Sequence, residues 1–199
     1  MNAPHGQNAL PSPSPAHRRV SPVMVAFVVL PLALLLGLLL VTINDAITAQ
    51  EPPEDLAIHR VMVLAPDFAL PADDGTVVRL ADYKGQILFL NFWQTWFIPC
   101  LEEMPDFRAL LDEQGDSGVS VLAVNIAEST EAIDRFFIGH NLDRIPVAMD
   151  ADGSVRRAYN VRNLPTTFVI DGSGIIHFRK LGGMSLSQMT ALAAEMQGS

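Results

Sequence analysis

Apolar positions along this chain fall into one long block and a series of short ones. From Val20 to Asn44 no residue is charged, and Val23 to Ile43 is almost wholly apolar, with Leu32, Leu34 to Leu36 and Leu38 to Leu40 at its centre. An apolar helix of about 20 residues crosses a bilayer, and Pro31 and Gly37 are tolerated in such a helix. A cleaved signal peptide is the competing reading. Its apolar region is usually about 7–15 residues, shorter than this run, although Ala46 to Gln50 resembles a weak cleavage site. The run therefore reads as an uncleaved anchor over 20–43. It is preceded by a polar, Pro- and Ser-rich tail over 1–19, read as disordered, and followed by an extended linker over 44–57.

Beyond the linker, strand and helix periods alternate. Val61 to Leu64 and Phe68 to Leu70 are short extended pieces, and Thr76 to Leu80 alternates as a strand does after the Asp73-Asp74-Gly75 turn. Ile87 to Trp93 and Val119 to Ile126 are continuous apolar runs of buried central strands. Pro99 to Glu113 reads as a helix that opens on a proline and is kinked at Pro105. Thr130 to Asn141 is a second helix, capped by Ser129. Val147 to Met149 is a short strand and Asp152 to Tyr159 a short helix. Thr166 to Ile170 and Ile175 to Lys180 are strands joined at Asp171-Gly172-Ser173-Gly174, a hairpin turn. A last helix starts at Ser185, where Ser185 and Gln188 form a capping box. Early alternation implies a right-handed crossover and parallel pairing. The late hairpin adds antiparallel strands. The expected domain, 58–199, is thus a three-layer α/β sandwich with a mixed central sheet.

Charge changes the picture on two points. His17, Arg18 and Arg19 precede the apolar run, whereas all 22 acidic residues follow it, with 11 of the 13 Lys and Arg. Basic flanks stay cytoplasmic, so the tail is expected inside and the domain outside the membrane. The formal net charge of −9 argues against nucleic-acid binding and against adhesion to anionic lipid. His5, His17, His59, His140 and His177 are scattered without metal-ligand spacing, and Gly182-Gly183 lacks the context of a phosphate loop. No cofactor is expected.

The candidate chemistry sits in Asn91 to Cys100 (NFWQTWFIPC). Cys100 is the single cysteine of the chain, so no internal disulfide exists and stability rests on an ordinary core. With Ala65 to Leu70, Gly75 to Leu80, Tyr83-Lys84-Gly85, Pro99-Cys100, Glu102 to Pro105, VLAVNI and LPTTFVIDGSGII, this stretch resembles the membrane-anchored thioredoxin-like (redoxin) family. That family includes the extracytoplasmic thiol-disulfide oxidoreductases of cytochrome c maturation. The resemblance runs from about Ile58 to the C-terminus and implies a thioredoxin-like fold. It also implies a redox pair of the form W-C-x-P-C, but Phe97 stands where the attacking Cys belongs, and dithiol exchange needs two thiols.

The resemblance further implies a cis peptide bond before Pro165, facing the redox helix with its backbone open to an extended peptide, and an acid at Glu103 that tunes proton traffic. Trp96, Phe97, Pro99, Glu103 and Pro165 are therefore the candidate binding residues and Cys100 the one candidate catalytic thiol. Alternatives stay open at several of them. Cys100 reads also as a small buried hydrophobe, Trp96 and Phe97 as a pair packed on the neighbouring loop, and Glu102 and Glu103 as dipole-favoured surface charges, Glu102 the more so. Three functions compete. The first is a family member without dithiol turnover, acting on extracytoplasmic protein or peptide thiols and disulfides such as an apocytochrome c or its maturation factors. The second is a non-catalytic peptide- or protein-binding module. The third is a one-Cys peroxiredoxin-like peroxidase using Cys100, against which Phe97 replaces the Thr or Ser of that pattern.

Overall fold

The computed structural model describes Leu32 and residues 34–39, 58–143 and 145–198. Two compact units are separated near Pro52 and Pro53. In the first, residues 34–39 are helical with exposed leucines. No helix among the described residues is long and apolar enough to cross a membrane. Most of the expected anchor, with the whole tail and linker, lies outside the described residues.

The second unit contains strands Ile58–Leu64 (β1), Ala69–Pro71 (β2), Val77–Arg79 (β3), Ile87–Trp93 (β4), Val119–Ile126 (β5), Val147–Asp150 (β6), Thr166–Ile170 (β7) and Ile175–Leu181 (β8). Its helices are Ile98–Gln114 (α1), Thr130–Gly139 (α2), Ser154–Ala158 (α3) and Leu186–Gln197 (α4). Six strands form one sheet in the order β1-β8-β7-β4-β5-β6, and β2 pairs with β3 apart from it. β4, β5 and β6 run parallel, whereas β7 and β8 add to β4 as an antiparallel hairpin and β1 covers its edge. This is the mixed α/β sheet that the sequence pattern implies.

Side chains alternate across a strand, so β4 feeds two cores. Phe89 and Trp93 join Met104, Phe107, Ile133, Phe137 and Met189 on one face. Leu88, Leu90 and Phe92 join Leu122, Val124, Tyr159 and Phe168 on the other. A central strand covered on both faces carries no polar alternation, which is why ILFLNFW is nearly all apolar. Its exception, Asn91, shares the parity of Phe89 and Trp93 and therefore points to the α1 face.

Local signals hold at the helix starts. The Ala132 N–H donates to Ser129 Oγ at 3.3 Å, and the Ser185 N–H to Gln188 Oε1 at 3.2 Å. The expected kink at Pro105 does not interrupt α1, although Pro105 cannot supply the N–H that the Leu101 carbonyl would accept. α2 stops at Gly139 rather than Asn141, because Asn141 turns left-handed at φ 51°. In the β7–β8 turn, Asp171 Oδ1 accepts the Ser173 and Ile175 N–H groups, each at 2.9 Å. Burial would raise Asp171, but these bonds and His177 bring it down to about 2. Gly172 is required there: a Cβ on it would lie 2.6 Å from Gly85 Cα, closer than non-bonded carbons pack.

Candidate functional site

The site forms where β4 runs out of the sheet. Trp93 ends the strand, a short loop turns the chain, and Phe97 becomes the extended N-cap residue of α1 (φ −97°, ψ 112°). The Cys100 N–H donates to the Phe97 carbonyl at 2.9 Å, so the two residues lie one helical turn apart. The loop is pinned to the end of β5. Gln94 Nε2 donates to the Ile126 carbonyl at 3.0 Å. The Thr95 N–H and hydroxyl donate to the two Glu128 oxygens at 2.8 and 2.6 Å, and Asn125 Nδ2 donates to Glu128 at 2.8 Å. Three donors on one carboxylate hold the loop rigid from outside its own sequence.

An N-cap thiol at Phe97 would meet the positive end of the helix. The phenyl ring offers no nucleophile there. Cys100 is fully buried beneath it, among the core of the α1 face. Burial pushes its thiol up to about 12; the Gln94 backbone pulls the other way, and Glu103 and Glu128 push further. Cys100 is held as a thiol in the folded protein.

One turn on, α1 presents a carboxyl to the sheet. Glu103 is 3% exposed, whereas its neighbour Glu102 is exposed. Opposite it lies a polar row set by register: Asn91 pairs with Thr167, and Thr167 with Lys180, across β4, β7 and β8. All three are buried. Asn91 Nδ2 donates to Glu103 Oε1 at 2.8 Å and to Thr167 Oγ1 at 3.0 Å, and the Met184 N–H donates to Glu103 Oε2 at 3.2 Å. Burial raises Glu103 to about 8, against the lowering effect of Asn91, Met184 and Lys180 and with a further push from Asp106. At neutral pH the carboxyl is mostly protonated. Asn91 Oδ1 has no partner in this arrangement; turning the amide over lets it accept the Glu103 proton.

The structure places Trp96 and Phe97 as a T-shaped pair with ring centroids 5.9 Å apart. Trp96 is 67% exposed and Ile98 66%, while Phe97 packs against the core below. Pro99 sits in the first turn. The Leu164–Pro165 bond is cis, as the resemblance implies. Pro165 departs from expectation in two respects: it is buried, and its carbonyl accepts the Gly182 N–H at 2.9 Å. Having no N–H and a used carbonyl, Pro165 is not itself open for strand-like pairing. The adjacent Gly183 completes the wall of the site, since a Cβ on it would lie 3.6 Å from the Pro99 carbonyl oxygen.

Sequence reasoning missed Asn91, Thr167, Lys180 and Glu128. The first three had a signal: each is polar two positions along its strand from a buried apolar residue of the α1 face, Asn91 from Phe89, Thr167 from Val169 and Lys180 from Phe178. Glu128 had none. Among the described residues, no group of His, Cys, Asp and Glu could hold a metal ion.

Comparison with known proteins agrees with this geometry. The AhpC/TSA family model matches residues 61–179. The chain is 40% identical over 140 residues to the thiol-disulfide oxidoreductase ResA of Geobacillus thermodenitrificans, covering 70% of this chain and 79% of that one. It is 44% identical over 110 residues to ResA of Geobacillus kaustophilus, a match that covers 55% of this chain and 63% of that relative's length. Among solved structures, the exposed lipoprotein thioredoxin Etrx1 of Streptococcus pneumoniae superposes with a TM-score of 0.59 at 32% identity, covering 65% of this chain and 99% of that one. Since the family model spans more than half of the chain and a ResA relative matches it at 40% identity over most of its own length, the chain belongs to the AhpC/TSA family.

Proposed function

We propose that this protein is a membrane-anchored, extracytoplasmic thioredoxin-like member of the thiol-disulfide oxidoreductase group that no longer turns over dithiols. It keeps the surface on which such proteins engage a partner. The carrying observation is Phe97 at the N-cap of α1 with Cys100 buried behind it. A partner disulfide meets no thiolate there, and a mixed disulfide, once formed, would have no second thiol to resolve it. What remains exposed is apolar: Trp96 and Ile98 flank Phe97 and form a contact surface for an extended peptide. The partners are extracytoplasmic proteins or peptides bearing thiols or disulfides, an apocytochrome c and its maturation factors among them. A peroxidase reading is disfavoured, since peroxide reduction needs a thiolate and Cys100 is both buried and raised to about 12.

The wild-type chain is expected to reduce insulin disulfides no faster than a Cys100→Ser variant. Cys100 should react with a thiol reagent about a thousandfold more slowly in the folded than in the unfolded protein at neutral pH, because its thiolate fraction is that much smaller. Turnover above the Cys100→Ser control would overturn the reading. The anchor is tested separately: protease added outside spheroplasts should digest the domain, and the mature chain should retain Arg18 and Arg19. A protected domain, or a mature N-terminus near Gln50, would reverse the orientation or remove the anchor.

A further inference from the structure

At the carboxyl ends of β5 and β6 lies an open concavity of about 590 Å³, lined by Ile126, Asp152, Arg156, Arg157, Asn160 and Arg162 among others. We propose that this concavity binds a small molecule carrying carboxylate or phosphate groups, held by the three arginines. The proposal is independent of the function argued for the Phe97 site.

The first support is charge. The sequence carries a net charge of −9 with 13 Lys and Arg in total, yet three of those arginines line one cavity. Among the described residues none of the three guanidiniums lies within 4.0 Å of a carboxylate. Asp152 also lines the cavity and partly offsets Arg157; the lining still carries more positive than negative charge, and a bound oxyanion would offset the remainder. The two nearby acids take their hydrogen bonds from groups other than the guanidiniums. Asp150, fully buried below, accepts the Val155 and Arg156 N–H groups at 3.2 and 2.7 Å. Asp152 accepts the Ser154 N–H at 2.9 Å.

The second support is orientation. Each guanidinium is tethered by one N–H to a neutral oxygen. Arg156 Nε donates to the Val161 carbonyl at 3.2 Å, Arg157 Nη1 to the Asp152 carbonyl at 2.9 Å, and Arg162 Nε to Asn160 Oδ1 at 3.4 Å. A guanidinium has five N–H donors, so each keeps most of its fork for a planar or tetrahedral oxyanion, while the tether lowers the entropy lost on binding. Place and size agree as well. Ligands of open α/β sheets bind beyond the carboxyl ends of the strands, and small-molecule sites span about 300–1,000 Å³. A nucleic acid is a poor candidate for the same cavity, because the chain's net charge of −9 repels a long polyanion.

The test is calorimetric titration of the full chain in detergent with sodium pyrophosphate and, separately, with sodium citrate, at ionic strength held constant with sodium chloride. Saturable one-to-one binding of at least one of them is expected. Arg157→Gln combined with Arg162→Gln should weaken it by about tenfold or more, as loss of charge-assisted bonds requires. Lys84→Gln, a substitution at the opposite end of β4, should leave it unchanged. Pyrophosphate binding alone assigns a phosphate ligand, citrate binding alone a carboxylate one, and both a general oxyanion site. Absence of saturable heat from either probe overturns the proposal, as does an affinity within twofold of wild type in the double variant. If the double variant does not fold, Arg157→Gln alone, at an exposed position, is read on the same criterion.

Discussion

Phe97→Cys is expected to convert this chain into a dithiol oxidoreductase. The new thiol would occupy the N-cap of α1, where the helix end favours its thiolate. Cys100 stands one turn on, with its N–H already bonded to the residue 97 carbonyl at 2.9 Å. That is the spacing of an attacking and a resolving sulfur on one helical turn. Oxidation by glutathione disulfide would take two electrons and two protons from the pair and join the two sulfurs, releasing two glutathione thiols. The oxidised variant should therefore titrate with no free thiols and the reduced one with two. Insulin reduction, with dithiothreitol supplied, should rise at least about tenfold above wild type once attack and resolution are both possible. The raised value of Cys100 does not obstruct this, because the N-cap thiol attacks first and the buried one acts only within the mixed disulfide. A folded variant that never closes its disulfide would show that positions 97 and 100 are not in redox geometry, and the reading of Phe97 as the lost attacking position would fall with it.

Glu103→Gln is expected to flatten the pH dependence of stability. Folded Glu103 titrates at about 8 against an ordinary carboxyl value of 4.5, with burial as the main cause. Between those values the folded chain holds a proton that the unfolded chain releases. Stability from this group is therefore complete below pH about 4.5 and is lost as pH rises toward about 8. Denaturant midpoints of the wild type should fall across that window. Glutamine copies the shape and the neutral state, and can bond Asn91 and the Met184 N–H without charge. The variant should match wild type near pH 5 and exceed it near pH 8 by on the order of 2–4 kcal/mol, given about 1.4 kcal/mol for each tenfold change in proton affinity. The groups facing Glu103 are Asn91 and Lys180 from the sheet, Met184 from the following loop, and Asp106 on its own helix. Truncation to Ala would instead strand Asn91 and the Met184 N–H, at a cost of about 1–3 kcal/mol for each buried group left unmatched. Parallel wild-type and Glu103→Gln profiles would mean that the carboxyl is already ionised at neutral pH.

Much of this protein could be read from its residues in order. The apolar runs of β4 and β5, the caps at Ser129 and Ser185 and the turn at Asp171 to Gly174 are local features. Each depends on side-chain period, on a capping oxygen or on backbone freedom, and each falls where the sequence pattern puts it. That the chain has one cysteine is equally plain, and dithiol exchange, which needs two thiols, depends on residue identity alone. What escaped the sequence depends on register and on meetings between distant segments. Asn91, Thr167 and Lys180 are separated along the chain, and only the pairing of β4, β7 and β8 sets them in a row under Glu103. Glu128 is an ordinary acidic residue until the end of β5 brings it to Thr95. The arginines at 156, 157 and 162 look like surface charges until α3 and the chain after it wrap a concavity around them. Pro165 was legible as a family position, but its burial and its bond to Gly182 were not. Short-range propensity acts within a few residues and is written in the sequence. Burial, and with it the protonation of Cys100 and Glu103, is a property of what the rest of the chain lays over a residue.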